Sequence, residues 1–392
     1  MDEEKKTSIV KHPVREWPNY ELREGATPEE MRAMAVKAMR DELTFEWTPR
    51  EDFTYRKTGA VSKKLYEFHK DTVYQGLPYS SGGTSLLHWL QYYDTETGEF
   101  FVENDPDFMW KLGNSCAASA DWGISAVCSS MRDGVSSYYF VYQNNFYPLG
   151  DVKYPGSVTN FKYFASDKIV EANGPERVLE GYALAHAGDV VLSTDAYETQ
   201  FTARHVMMVT EDAVVVRNAD GSINAEKSYI TEQDQRAKDA VYETEDPEYS
   251  VVRRGRLDHQ VSFADLLKKY YIALTTLEFQ GIKPYEVGFA EWGNAPTDVE
   301  SLLSTTVRSN YRIVYVKLTF TDENGKKTEV KHVTTDNFPE EDGLASAIPV
   351  SECFRPEDLK NSLEKGEKYN CEGEVLLASG GIRALEAFEF IA

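Results

Sequence analysis

The order of helix and strand signals is the feature that most constrains what this chain can fold into. The first helix signal is Thr27-Pro28-Glu29-Glu30, a capping box with proline at the first helical position, opening a helix to about residue 43. Residues 61–75, 84–93 and 176–186 also read as helices, and Gly76-Leu77-Pro78-Tyr79-Ser80-Ser81-Gly82-Gly83 is a turn-rich loop between the first two. Residues 137–165 are rich in Tyr, Phe and Val but broken by Pro and Gly, which predicts short strands or extended loops. After Gly188-Asp189 come short apolar runs at 190–193, 205–210, 213–217 and 227–232, with Asn218-Ala219-Asp220-Gly221-Ser222 as a hairpin-type turn. Ser262 caps a short helix that leads into a last strand at 271–278. Helices followed by a run of antiparallel strands define an α+β class.

A second change follows. Residues 280–307 are mixed and read as a linker. Beyond them Val316, Leu318 and Phe320 alternate with Lys317, Thr319 and Thr321, and Asn324-Gly325 turns the chain into a partner strand at 328–334. Further strands are expected at 374–377 and 384–391, so residues 308–392 are expected to form a small β-sandwich. At 392 residues the chain is too long for one ordinary core, and two domains fit it. The expected layout is a polar N-terminal arm at 1–25, a first domain at 26–279, the linker and the sandwich.

A net charge of −23 repels phosphate backbones, so nucleic acid and anionic membrane surfaces are poor partners. No stretch approaches the ~20 apolar residues of a membrane span. The first residues, Met-Asp-Glu-Glu-Lys-Lys, lack an apolar signal core. The four cysteines are Cys116, Cys128, Cys353 and Cys371; none has C-x-x-C spacing, so no zinc site and no cofactor is expected. Cys353 and Cys371 are a candidate pair that sequence alone does not establish.

Cys116 carries the chemistry. It sits in Gly113-Asn114-Ser115-Cys116-Ala117-Ala118-Ser119-Ala120, a loop ending in capping residues before a helix expected to reach about residue 127. The first turn of a helix offers free N–H groups and the positive end of the dipole, which stabilise a thiolate. A cysteine nucleophile needs a base, and the base needs a third group to orient it. Of seven histidines, His205 begins an apolar strand after a polar loop, where a side chain is held rigidly and still faces a cleft. Pairing of its strand with 227–232 would bring Glu232 beside it, with Asp234 and Asn218 as the competing orienters. Cys128 is expected to be buried and structural.

Taken in order, Gly76-Leu77-Pro78-Tyr79-x-x-Gly82-Gly83, a cysteine at a helix start, Gly188-Asp189-Val190-Val191 and a strand opening with His205-Val206 resemble the NlpC-type and CHAP-type cell-wall cysteine peptidases and amidases. Ser262-Phe263-x-x-Leu266-Leu267-x-x-x-Tyr271-Ile272 resembles the closing helix and strand of the same proteins. The resemblance covers roughly residues 74–278 and implies a papain-like fold, a Cys116–His205 pair, Glu232 as third catalytic residue and Tyr79 against substrate or oxyanion. It also implies a peptide or peptidoglycan stem-peptide substrate and an envelope or extracellular setting. The sequence departs from the pattern around the cysteine, with Ser115 before it and Ala117-Ala118 after it, and in a long insertion between Gly83 and Cys116. An acyltransferase using the same dyad, and a papain-like scaffold kept for binding or adhesion, are the competing readings.

Overall fold

The computed structural model describes residues 16–56, 65–70, 72–80, 83–101, 112–129, 131, 146–153, 166–196, 201–243, 250–282, 285–334 and 344–392. The chain is mixed α+β, as the order of its signals implies. The first part contains helix α1 (Pro28–Thr44), strands β1 (Glu46–Pro49), β2 (Phe53–Arg56), β3 (Leu65–Phe68) and β4 (Val73–Gln75), helix α2 (Leu86–Trp89), and strands β5 (Tyr93–Asp94) and β6 (Glu99–Phe100). Next come α3 (Cys116–Ser125), β7 (Phe146–Pro148), α4 (Ser166–Asn173), α5 (Pro175–Ala183), β8 (Val190–Ala196), β9 (Phe201–Val209), β10 (Tyr229–Glu243), β11 (Ser250–Ser262), α6 (Phe263–Lys268) and β12 (Ile272–Thr276). The remainder holds β13 (Ala290–Trp292), α7 (Val299–Ser304), β14 (Thr306–Ser309), β15 (Ile313–Asp322), β16 (Lys327–Val333), β17 (Ser346–Pro349), α8 (Val350–Cys353), α9 (Pro356–Ser362), β18 (Lys368–Leu377) and β19 (Ile382–Ile391).

A ten-stranded sheet in the order β5-β6-β1-β4-β11-β10-β9-β8-β12-β7 organises the first part. The Thr27 capping box forms as expected, with the Thr27 hydroxyl accepting from the Glu30 N–H and the Glu30 carboxylate accepting from the Thr27 N–H. Helix α1 then buries Met31, Ala35, Ala38, Met39 and Leu43, spaced to make one apolar stripe. That stripe shares a core with Ala120 and Ile124 of α3 and with Val206 to Val209 of β9. Gly123 permits the close approach: a Cβ there would lie 2.9 Å from Met39 Cβ and 3.0 Å from the Ala35 carbonyl oxygen.

Several expectations change. Residues 65–68 and 73–75, within the segment expected as a helix, are strands, and β4 is buried throughout and paired with β1 and β11. Residues 213–217 make only isolated bridges, so β9 pairs directly with β10. β11, which the sequence reading did not single out, is the longest partner of β10. Of the 137–165 segment only its described part is placed, and that includes β7. The described end of the N-terminal arm is docked, with Tyr20 buried and its N–H donating to the Ser379 carbonyl.

In the C-terminal part, the sheets β13-β14-β17 and β16-β15-β18-β19 enclose one core containing Trp292, Val307, Ile348, Leu318, Phe320, Val375 and Phe390. Trp292 and Leu302 place the expected linker inside this unit. The unit also shares an aromatic core with the first part, where Val314, Tyr315 and Leu376 pack with Trp47, Trp89 and Phe100. Cys353 and Cys371 are free thiols, which removes the candidate pair. Among the described residues no helix is long and apolar enough to cross a membrane.

Candidate active site

Cys116 is the first residue of α3, and the preceding Ser115 caps the helix by accepting from the Ala118 N–H. The sulfur therefore sits where the first N–H groups have no intrahelical acceptor. Helix α3 ends at Ser125, so Cys128 lies just beyond it, buried, with its sulfur 3.8 Å from Thr276 Oγ1.

The loop before Cys116 is fixed from three sides. Gly113 has φ +107°, and a Cβ there would fall 2.4 Å from the Pro78 carbonyl oxygen, so only glycine lets the two loops meet. The Asn114 N–H donates to the Pro78 carbonyl at 2.8 Å, and the Asn114 carbonyl accepts from the Ser80 N–H at 2.9 Å. Asn114 Nδ2 donates to Glu42 Oε1 at 2.7 Å, while Gln235 Nε2 donates to the Leu77 carbonyl at 2.5 Å. These bonds hold Tyr79 with its hydroxyl 3.9 Å from Cys116 Sγ.

His205 lies on β9 opposite Ser193 of β8. One of its ring nitrogens, Nε2, is 2.6 Å from Asp234 Oδ2, and the imidazole lies close enough to the Cys116 sulfur for each group to shift the ionisation of the other. An ionised carboxylate only accepts, so Nε2 carries a proton and Nδ1 is left for the sulfur. Burial favours neutral imidazole, but the hydrogen bonds to Asp234 and Cys116 outweigh it and raise the His205 pKa to about 9. Burial likewise works against a Cys116 thiolate, yet the hydrogen bond and charge of His205, the Val206 N–H and the Tyr79 hydroxyl lower its pKa below the ordinary thiol value. The other three thiols move the opposite way: burial raises Cys128 well above its usual range and pushes Cys353 and Cys371 up to about 12. Both shifts favour the thiolate–imidazolium form of the pair.

The third position differs from the expectation. Asp234, not Glu232, faces His205. Glu232 lies opposite Val209 in the β9–β10 register, and its Oε1 accepts from Arg256 and lies 2.9 Å from His259 Nδ1, turning it toward β11. Burial and the neighbouring Asp234 charge raise the Glu232 pKa to about 8. Asn218 remains in its turn, bonded to Ser222 and Asn224, away from the imidazole. Burial opposes ionisation of Asp234 as well, but the His205 hydrogen bond and the arginine charges keep its pKa below the ordinary carboxylate value.

Four contributors went unread in the sequence. Arg236 Nε donates to Asp234 Oδ1 at 3.0 Å, and Arg256 Nη2 donates to Asp234 Oδ2 at 2.8 Å. His259 and Glu42 complete the set. The signal for Arg236 was the period-two series Glu232-x-Asp234-x-Arg236, which continues β10 beyond residue 232. Cys116 is only 5% exposed, and the open edge of the pair is the imidazole, whose side chain is 24% exposed. Among the described residues there is no group of three or more His, Cys, Asp or Glu side chains set to hold a metal ion. The chain matches no protein-family model, no curated protein and no solved structure.

Proposed function

We propose that the chain is a thiol-dependent amide hydrolase, a cysteine peptidase or amidase of papain-like architecture, with the C-terminal part a β-sandwich packed against it. The observation that carries this reading is the Cys116–His205–Asp234 series, with the sulfur at a helix start beside His205 and the imidazole hydrogen-bonded to Asp234. A helix that presents a thiol to a histidine on a strand between two antiparallel neighbours is the arrangement a papain-like enzyme needs.

The Cys116 thiolate attacks the amide carbonyl carbon, and the carbonyl electron pair moves onto oxygen. The free N–H groups at the start of α3 and the Tyr79 hydroxyl, which lies 3.9 Å from the sulfur, donate to that oxygen. His205 gives its sulfur-facing proton to the leaving amine as the C–N bond breaks, leaving a thioester. It then takes a proton from water, whose oxygen attacks the thioester carbon, releasing a carboxylic acid and restoring the thiolate. Asp234 keeps the imidazole oriented throughout and favours its charged form.

The proposed substrate is the peptidoglycan stem peptide. Incubation of the full chain with purified peptidoglycan fragments tests it, with mass spectrometry reading the products and Cys116→Ala as the control. Cleavage lost in the variant supports the reading; intact fragments beside Cys116-dependent cleavage of other peptides would move the substrate elsewhere.

A further inference from the structure

The charges around the dyad are not distributed evenly between interior and surface. Both acidic side chains, Glu232 and Asp234, have no solvent exposure. The cationic and imidazole groups beside them reach solvent: Arg236 is 42% exposed, Arg256 22% and His259 44%. A ligand approaching this part of β10 and β11 therefore meets positive charge, on a chain whose net charge is −23.

Arg236 is the most specific of these groups. Its Nε is held by both oxygens of Asp234, at 3.0 and 3.3 Å, which fixes the guanidinium plane beside the acceptor of the His205 bond. The two terminal nitrogens of the fork are not used in that contact. A guanidinium anchored by Nε and open at its terminal nitrogens suits a carboxylate, which it can hold through two parallel bonds. Arg256 is committed elsewhere, bridging Asp234 and Glu232, with Met207 Sδ also 3.5 Å from its Nη2.

We infer that Arg236 recognises a carboxylate carried by the substrate near the amide bond that Cys116 attacks. This rests on the hydrolase reading and narrows its substrate class to anionic peptides or acyl-amino acids. Asp234 thus links orientation of His205 to placement of the substrate, since one carboxylate anchors both side chains.

Two reagents of equal size separate this role from the chemistry of the thiol. N-bromoacetyl-β-alanine carries a carboxylate several bonds from the reactive carbon, and its primary amide is neutral. The quantity measured is the ratio of their rate constants for alkylating Cys116 in the full-length protein at pH 7 and low salt, with the modified residue identified by peptide mapping. One charge-assisted contact at a partly exposed arginine predicts a ratio of about 5 to 10 in favour of the anionic reagent. Arg236→Gln is expected to reduce that ratio to about one or below, whatever it does to the absolute rates, and Arg236→Lys to restore part of it. Lys238→Gln, which removes an exposed charge two residues along the same strand, is expected to leave the ratio near its original value. A ratio unchanged in Arg236→Gln, or lowered equally by Lys238→Gln, would overturn the assignment while leaving the dyad intact. Failure of both reagents to label Cys116 ahead of the other thiols would instead overturn the hydrolase reading, and this assignment with it.

Discussion

His205 Nε2 and Asp234 Oδ2 are 2.6 Å apart, and the carboxylate that makes this contact has no exposure to solvent. A short hydrogen bond to a buried anion fixes both the ring plane and the proton on Nε2, so the nitrogen that faces Cys116 is determined by a residue that never touches it. Two arginines, Arg236 and Arg256, share the same carboxylate and offset the cost of burying its charge.

Replacement of the third group is expected to show this order. Asp234→Ala should lower turnover on any cleaved amide by about 10²-fold or more, the scale of an impaired acid–base step. Glu232→Gln should cost less, because Glu232 acts on Arg256 and His259. Asn218→Ala should be near neutral. Steady-state kinetics of the three variants checks the order; a larger loss in Glu232→Gln than in Asp234→Ala would return the third role to Glu232.

The pH profile follows from the two shifts. The thiolate forms as pH rises through the lowered Cys116 pKa, so activity climbs below the ordinary thiol range. Imidazolium, which must protonate the leaving amine, is lost as pH rises through about 9. Plots of kcat/KM against pH should therefore be bell-shaped with a falling limb near pH 9. Asp234→Asn weakens the hydrogen bond and removes the charge that together raise His205, so that limb should move to lower pH; an unmoved limb would separate Asp234 from the imidazole.

Glu42 is predicted to hold the nucleophile loop. It is fully buried, and its carboxylate accepts from Asn114 Nδ2 at 2.7 Å. Glu42→Ala leaves that donor unpaired and opens a cavity, which predicts a loss of about 2–4 kcal/mol of stability. Urea unfolding measures it. Alkylation of Cys116 should slow in the same variant, since Asn114 also fixes the Pro78–Ser80 segment.

The C-terminal part is predicted to stabilise the nucleophile helix. Arg312 pairs with Asp121 of α3 and lies over the Trp122 ring at 3.8 Å. Arg312→Met would leave the buried Asp121 without this cation, at a cost of about 3 kcal/mol. Thermal unfolding should drop as a single transition; separate melting of the two parts would contradict their shared core.

Local chemistry made part of this legible. The Thr27 capping box, the Ser115 cap, the Asn324-Gly325 turn and the alternating Val316-Leu318-Phe320 face each follow from short-range pattern, and each is present. The partners of His205 were less accessible because they depend on register. Glu232 and Asp234 are two residues apart on β10, and which of them meets the imidazole is set by pairing with β9 and by an irregularity against β11. β11 itself is charged, with Arg253, Arg254 and Arg256 in its middle, and lacked the apolar alternation that marks a half-buried strand. Its charges are held by tertiary partners, such as Asp239 for Arg254 and Asp234 for Arg256, that sequence spacing does not reveal. The segment at 65–75 misled for a related reason: β3 pairs with the preceding β2, and β4 is held between β1 and β11, the latter distant in sequence.

The most direct test is competition among the four thiols for a limiting amount of iodoacetamide at pH 7, read by peptide mapping. The thiolate–imidazolium pair predicts that Cys116 is modified well ahead of Cys128, Cys353 and Cys371, and that His205→Ala removes most of its advantage. Equal labelling of all four in the folded protein, or a Cys116 rate indifferent to His205, would contradict the account.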